Sequence, residues 1–322
     1  MTEGTTPSVN LYQALVRQRH YVGSNVFFSG SELSCEEYAT AMVNLLGFTG
    51  KFALCLDRSN WKFGKNHLNY LVLSWRISSE LSVPLLFVDL DKAGNSNTQE
   101  RLDLLERFIK LFGVERIESL MADREFVGNS WFKALNQLGI PFFIRIKENT
   151  LTPYGKEDMH VGSYFSHLKQ GKTRLIEKEM YGKIVYFAGT RSKDGGLVIV
   201  LSNQDLKARE ILKRYKNRWA IEELFRKLKS SGFNWEDTHM TDPRRLESLL
   251  IILGLATLIA YLAGAKCKIP FKKTLGYPLK SHFRQGLLEL RHHFAKSLSD
   301  TIQWITELIR NASFICFPKS DG

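Results

Sequence analysis

Five short apolar runs, interleaved with two amphipathic stretches, constrain this chain more than any other feature of its sequence. The runs are KFALCLD (51–57), HLNYLVLSWRI (67–77), SVPLLFVDLD (82–91), RIESLMAD (116–123) and PFFIRIK (141–147). Each has the length and the turn-rich flanks of a buried β-strand. The first three follow one another through short links, as in a meander. TQERLDLLERFIKLFG (98–113) then places apolar residues at helical spacing and closes on Gly113. SWFKALNQLG (130–139) is a second helical stretch, between the fourth and fifth runs.

Residues 148–200 break this alternation. TRLIEKEMYGKIVYFAGTRSKDGGLVIVLS reads as two or three strands, with turns at Gly182 and at Gly195 and Gly196. A helix over 215–233 and the apolar RLESLLIILGLATLIAYLAG (245–264) follow. The order predicts an α/β chain: a mixed five-stranded sheet flanked by helices, with a β-rich insertion before the helix at 215–233. That arrangement resembles the RNase H-like fold. The expected organisation is a short helical region at 1–50, a core in two parts at 51–147 and 201–265, the insertion at 148–200, and a basic tail at 266–322. Within the first region, 10–47 reads as loosely helical, with CEEYATAMVNLLG its clearest piece and RQRH (17–20) its one basic cluster.

Composition limits the partners. The chain has 322 residues, 44% apolar and 24% charged, which describes a globular protein with a sizeable core. Its formal charge of +12 points to a polyanion. Cys35, Cys55, Cys267 and Cys316 form no CxxC pair, against a zinc site or a disulfide framework and in keeping with a reducing compartment. LLIILGLATLIAYLAGA (249–265) carries Gly254 and Gly264 and reads as a core helix rather than a membrane span. A cytoplasmic protein with no membrane partner is expected.

An aspartate that closes an apolar strand must be solvated, paired or bound to a metal. Asp57 and Asp123 both stand there, although each alone also reads as a turn or cap residue. If the first and fourth strands are parallel neighbours, both side chains meet at one end of the sheet. Glu222, on the helix after the last strand, can reach the same point. Three carboxylates cannot share a pocket uncompensated at neutral pH, and hard divalent cations take oxygen ligands, so Mg²⁺ or Mn²⁺ is the natural compensation. Asp89 and Asp91 rival Asp57, but DLDKAGNSN looks like a polar exit loop.

The helix YKNRWAIEELFRKLKSSGF (215–233) carries a further pattern. At 100° per residue, Tyr215 sits at about 0°, Arg218 at about 300°, Glu222 at about 340° and Lys229 at about 320°. These four border the stripe of Ile221, Leu224, Phe225 and Leu228 that faces the core. The strip reads equally as an i,i+4 ion-pair helix, since Arg218 and Glu222 stand four apart.

LCLDRSNWKFG, LMADREF and YKNRWAIEELFRKLKSSGFNWEDTHM together resemble the DDE transposases of bacterial insertion sequences. The branch is the one with a Tyr-x2-Arg-x3-Glu-x6-Lys signature, matched by Tyr215, Arg218, Glu222 and Lys229. The resemblance implies that Asp57, Asp123 and Glu222 hold two Mg²⁺ or Mn²⁺ ions for cleavage and strand transfer by water or a DNA 3′-hydroxyl. It implies that Tyr215, Arg218 and Lys229 hold phosphates of the transposon end, and that Trp219 stacks near a flipped base. A Trp half-buried in the core is the other reading of Trp219. The implied partners are double-stranded DNA, as terminal repeats and target, and a second copy in a synaptic dimer.

Two other classes stay open: an RNase H-like nuclease, and an inactive or truncated transposase that only binds DNA. Relatives usually carry a longer helical DNA-binding region before the first acid, so residues 1–50 are expected to read terminal repeats poorly. His67, His160 and His239 have no metal-ligand spacing. RHH (291–293) reads as a solvated face, and KSHFRQGLLELRHHFAKS (280–297) offers unspecific basic contacts to a DNA backbone.

Overall fold

The computed structural model describes residues 34–230, 232–272, 277–312 and 316–317. The expected helicity of residues 10–33 and the RQRH cluster lie outside this set. In chain order the helices are α1 (Cys35–Leu45), α2 (Thr98–Phe112), α3 (Asn129–Gln137), α4 (Ala208–Lys216), α5 (Trp219–Lys229), α6 (Pro243–Ala265), α7 (His282–Lys296) and α8 (Leu298–Arg310). The strands are β1 (Phe52–Phe63), β2 (Asn66–Arg76), β3 (Ser82–Asp89), β4 (Ile117–Ala122), β5 (Phe142–Ile146), β6 (Leu151–Tyr154), β7 (Glu157–His160), β8 (Thr173–Met180), β9 (Lys183–Arg191), β10 (Leu197–Ser202), β11 (Phe271–Lys272) and β12 (Tyr277–Pro278).

Two compact units emerge. One holds residues 49–62 and 67–222; the other holds the described residues up to Phe48, with 63–66 and 223 onward. The first unit is built on a mixed sheet with the order β3-β2-β1-β4-β5-β10-β9-β8. Its first five strands are those read from the apolar runs. β1 runs parallel to β4, and β4 parallel to β5, as the placement of the two aspartates requires. β2 and β3 pair antiparallel. The sheet is flanked by helices: α2 packs on β3, and α4 on β5, β8, β9 and β10.

The sheet is larger than the five strands expected. β10 adds to β5 antiparallel, and β9 and β8 continue outward, so most of the insertion extends the main sheet. The physical reason lies in LVIVLS of β10, almost entirely buried, which covers the edge that β5 would otherwise leave unpaired. Only β6 and β7 form a separate hairpin. β1 is also longer than the run 51–57 suggested, so Asp57 sits within the strand rather than at its end.

The helix expected over 215–233 is two helices. α4 ends at Lys216 and α5 starts at Trp219. Across the break, amides bond three residues back: Arg218 to the Tyr215 carbonyl at 2.9 Å, Ala220 to Asn217 at 3.2 Å and Ile221 to Arg218 at 3.0 Å. These tighter turns replace the α pattern. Tyr215 therefore belongs to a different helix from Glu222, and its angle on a continuous wheel does not hold. Of the expected core stripe, Ile221, Leu224 and Leu228 are fully buried and Phe225 is partly exposed.

The other unit is helical. Among the described residues, α6 is the one helix long and apolar enough to cross a membrane, and most of that apolar stretch is buried against the protein. It crosses α7 at two glycines. A β-carbon on Gly264 would stand 1.8 Å from the His282 carbonyl oxygen, and one on Gly286 would stand 1.7 Å from that of Ala260. Glycine is required at both, because the two backbones touch. Asp242 caps α6 by accepting from the Arg245 amide at 3.2 Å, and Pro243 opens its first turn.

Candidate active site

β1 and β4 bring the two aspartates together. Leu56 lies opposite Ala122 in the parallel register, and Asp57 and Asp123 are the next residue on each chain segment. The Asp57 carboxylate accepts the Arg58 amide at 2.7 Å through Oδ1 and an Arg218 guanidinium N–H at 3.3 Å through Oδ2. Arg218 donates from Nη2 to the Glu222 carboxylate and from Nε to the Tyr215 hydroxyl at 3.2 Å. The Tyr215 hydroxyl donates to Asp123 Oδ1 at 3.4 Å. Arg218 thus connects all three acids, two directly and Asp123 through Tyr215.

The break between α4 and α5 serves this arrangement. It turns Arg218 toward Asp57 in the middle of β1 and Tyr215 toward Asp123 just past β4, and the Cys55 thiol meets the Asn217 carbonyl at 4.0 Å. The i,i+4 ion pair expected as the alternative reading is present, and the same arginine also binds the aspartate of β1. Both readings describe one cluster.

The electrostatics follow from burial. Burial pushes the Asp57 carboxyl up to about 6, against the Arg58 amide and the Arg218 charge, while Glu125 and Asp123 add to the upward push. Burial also raises the Tyr215 phenol above its ordinary value. For Arg218 burial works against the charge, yet Tyr215, Asp123, Asp57 and Glu222 outweigh it and raise its pKa further. It stays a cation.

The remaining expected site residues divide. Trp219 is 61% exposed, so it is not part of the core. Lys229 pairs with Glu236 at 2.6 Å, within the helical unit. Asp89 accepts the Asp91 amide at 3.1 Å at the end of β3, which β2 separates from β1. His293 stacks on Trp304 with ring centroids 3.9 Å apart, so this part of RHH is an aromatic contact rather than a solvated face.

Sequence reasoning missed the supports behind the acids. Arg58 binds Glu125 at 3.1 and 3.3 Å, Asn69 at 2.8 Å and Asn95 at 3.0 Å. Arg101, buried on α2, donates to the Val127 carbonyl at 3.3 Å and the Glu125 carbonyl at 3.2 Å. Two arginines therefore fix the turn that follows Asp123. The signal was an arginine directly after Asp57 and a glutamate two places after Asp123.

Oxygen donors on three carboxylates suit a hard divalent cation in kind. Among the described residues no three His, Cys, Asp or Glu side chains gather tightly enough to form a metal cage. Arg218 supplies the compensating charge, through its ion pairs with Asp57 and Glu222.

The model of the transposase DDE domain family matches residues 77–259. The chain belongs to this family. The matched span contains Asp123, Tyr215, Arg218, Glu222 and Lys229, and starts after Asp57. No curated protein sequence matches the chain. Among solved structures, a cryo-EM structure of a piggyBac transposase synaptic complex with hairpin DNA is similar at a TM-score of 0.44 and 10% identity. The similarity covers 81% of this chain and 58% of that one, so the chain spans under two thirds of the transposase it matches.

Proposed function

We propose that this member of the transposase DDE domain family is the transposase of an insertion sequence, from the branch with the Tyr-Arg-Glu-Lys signature, cutting and joining DNA strands at the ends of its element. The observation that carries the reading is the Arg218 network, which links Asp57, Asp123 and Glu222 through bonds no single element could make. Asp57, Asp123 and Glu222 would hold two Mg²⁺ or Mn²⁺ ions, whose chemistry is to acidify an attacking hydroxyl and offset charge on the phosphate.

The chain's own residues do the rest. Arg218, which binds Asp57 and Glu222 in this structure, would offer its planar fork to a phosphate of the cleaved strand. The Tyr215 hydroxyl, beside Asp123, donates to the same phosphate. Exposed Trp219 offers a ring for an unstacked base. Double-stranded DNA is the partner, as terminal repeats and as target, and two copies act together on paired ends. The chain is proposed to work in the cytoplasm, and the burial of most of the apolar stretch of α6 supports its reading as a core helix. The proposed domain roles are catalysis in 51–147 and 201–265, with 148–200 as an insertion, 1–50 as a short, truncated DNA-binding part that reads the terminal repeats poorly, and 266–322 as a basic tail.

The test is strand cleavage of DNA carrying the element's flanking repeats, with Mg²⁺ or Mn²⁺. Asp123→Asn and Glu222→Gln are expected to abolish cleavage while leaving the far-UV spectrum and most DNA affinity unchanged. Near-normal cleavage by Glu222→Gln overturns the assignment.

A further inference from the structure

The helical unit contains a cavity of about 340 Å³ whose wall includes Arg226, Asn234, Ser281, Phe283, Arg284 and Arg291. Among the described residues, none of those that line it is acidic. Arg284 and Arg291 stand seven residues apart on α7, two turns along one face. Neither guanidinium makes an ion pair or side-chain hydrogen bond among the described residues, and the Arg291 Nε is buried without a partner. Arg226 is held by Glu223 at 2.6 Å, on its own helix.

A buried guanidinium N–H with no acceptor is costly, because the group gave up water for nothing in return. The first turn of α7 faces the same cavity: Ser281, its cap, lines the wall and accepts the Arg284 amide at 3.3 Å. A helix start and two acid-free arginines suit a tetrahedral oxyanion. Phe283 forms an apolar wall, set by edge contact with Phe233 at 5.7 Å and covered by Lys227 at 5.2 Å.

We propose that this cavity seats one backbone phosphate of DNA, held by Arg284 and Arg291 with Arg226 at its edge. The inference rests on the reading of the chain as a DNA-acting protein, and it assigns this part of the basic 280–297 stretch a defined contact instead of diffuse charge. The family match ends at residue 259, before α7, so Arg284 and Arg291 lie outside the matched span, while Arg226 and Asn234 lie within it.

The experiment is binding of a random-sequence duplex by the full chain over a salt series, with inorganic phosphate as a second ligand. One phosphate contact contributes a slope of about 0.9 in log affinity against log salt. Arg284→Ala/Arg291→Ala is expected to flatten the slope by about 1 and to weaken binding roughly tenfold at physiological salt. Exposed Lys268 and Arg310 supply a charge-matched control, Lys268→Ala/Arg310→Ala, expected to change the slope by less than half as much. Equal flattening by the control overturns the proposal, since total charge then explains the effect. An unchanged duplex slope, with loss only of thermal stabilisation by inorganic phosphate, overturns it in favour of a small phosphorylated ligand. Arg284→Ala alone, at an exposed position, keeps the test decisive if loss of Arg291 unfolds the region. Loss of cleavage activity is not the readout, so the proposal stands or falls separately from the catalytic assignment.

Discussion

The Arg58 guanidinium spans the Glu125 carboxylate, with Nε 3.1 Å from Oε1 and Nη2 3.3 Å from Oε2. Arg58 directly follows Asp57, and Glu125 stands two residues after Asp123. The pair therefore ties the segments that carry the two aspartates, from outside the acid cluster itself. Paired charges of this kind fix geometry because both carboxylate oxygens are engaged.

Glu125→Ala is expected to destabilise the protein by about 2 kcal/mol, since it strands the largely buried Arg58 guanidinium. The figure is below that for a fully buried pair because solvent reaches part of Glu125. Urea denaturation of the two proteins measures it. A midpoint equal to wild type shows that Asn69 and Asn95 hold Arg58 by themselves.

Trp219 offers a cleaner separation of stability from binding. Its ring is mostly in solvent, so Trp219→Ala should leave the melting temperature nearly unchanged. Affinity for DNA with an unpaired base near its end should fall by about 1–3 kcal/mol, the value of one base stacked on an aromatic ring. Fluorescence anisotropy with paired and unpaired ends reads the difference. Equal affinity of both proteins for the unpaired end removes Trp219 from the site.

The crossing of α6 and α7 predicts an opposite result. Gly286→Ala should cost roughly 1–3 kcal/mol or more, because the added methyl meets backbone and no side chain can yield. In most exposed helices the same change would stabilise. A Gly286→Ala protein as stable as wild type in urea would mean that the helices can separate without loss.

These contrasts also show what the sequence could reveal. The runs around Leu56 and Leu120 are apolar enough to be strands by themselves, and the resemblance of the element order to the RNase H-like fold makes the first and fourth strands parallel neighbours. Asp57 and Asp123 were therefore legible as neighbours. The break at Asn217 and Arg218 was not, because YKNRWAIEEL keeps helical periodicity straight through it. Only the i−3 bonds reveal the break, and they depend on where Arg218 finds its acids. Arg58 and Glu125 are 67 residues apart, and no local pattern pairs them. The attachment of β10 to β5 is equally non-local, since a buried run does not state which edge it will cover.

Lys229 gives the last prediction, because its present partner competes with its proposed one. The ammonium lies 2.6 Å from Glu236, and both side chains are about 30% exposed or less, so water only partly screens the pair. If Lys229 serves a DNA phosphate, Glu236 must release it on binding. Glu236→Gln removes that competition without changing shape, and should tighten duplex binding about two- to fivefold at low salt. Lys229→Ala should weaken binding and reduce the salt slope by about 0.9, as one phosphate contact is lost. The two substitutions act in opposite directions on DNA affinity only if the lysine changes partner. If both instead lower the melting temperature alike and leave the salt slope alone, the ion pair is structural, and Lys229 has no part in holding the strand.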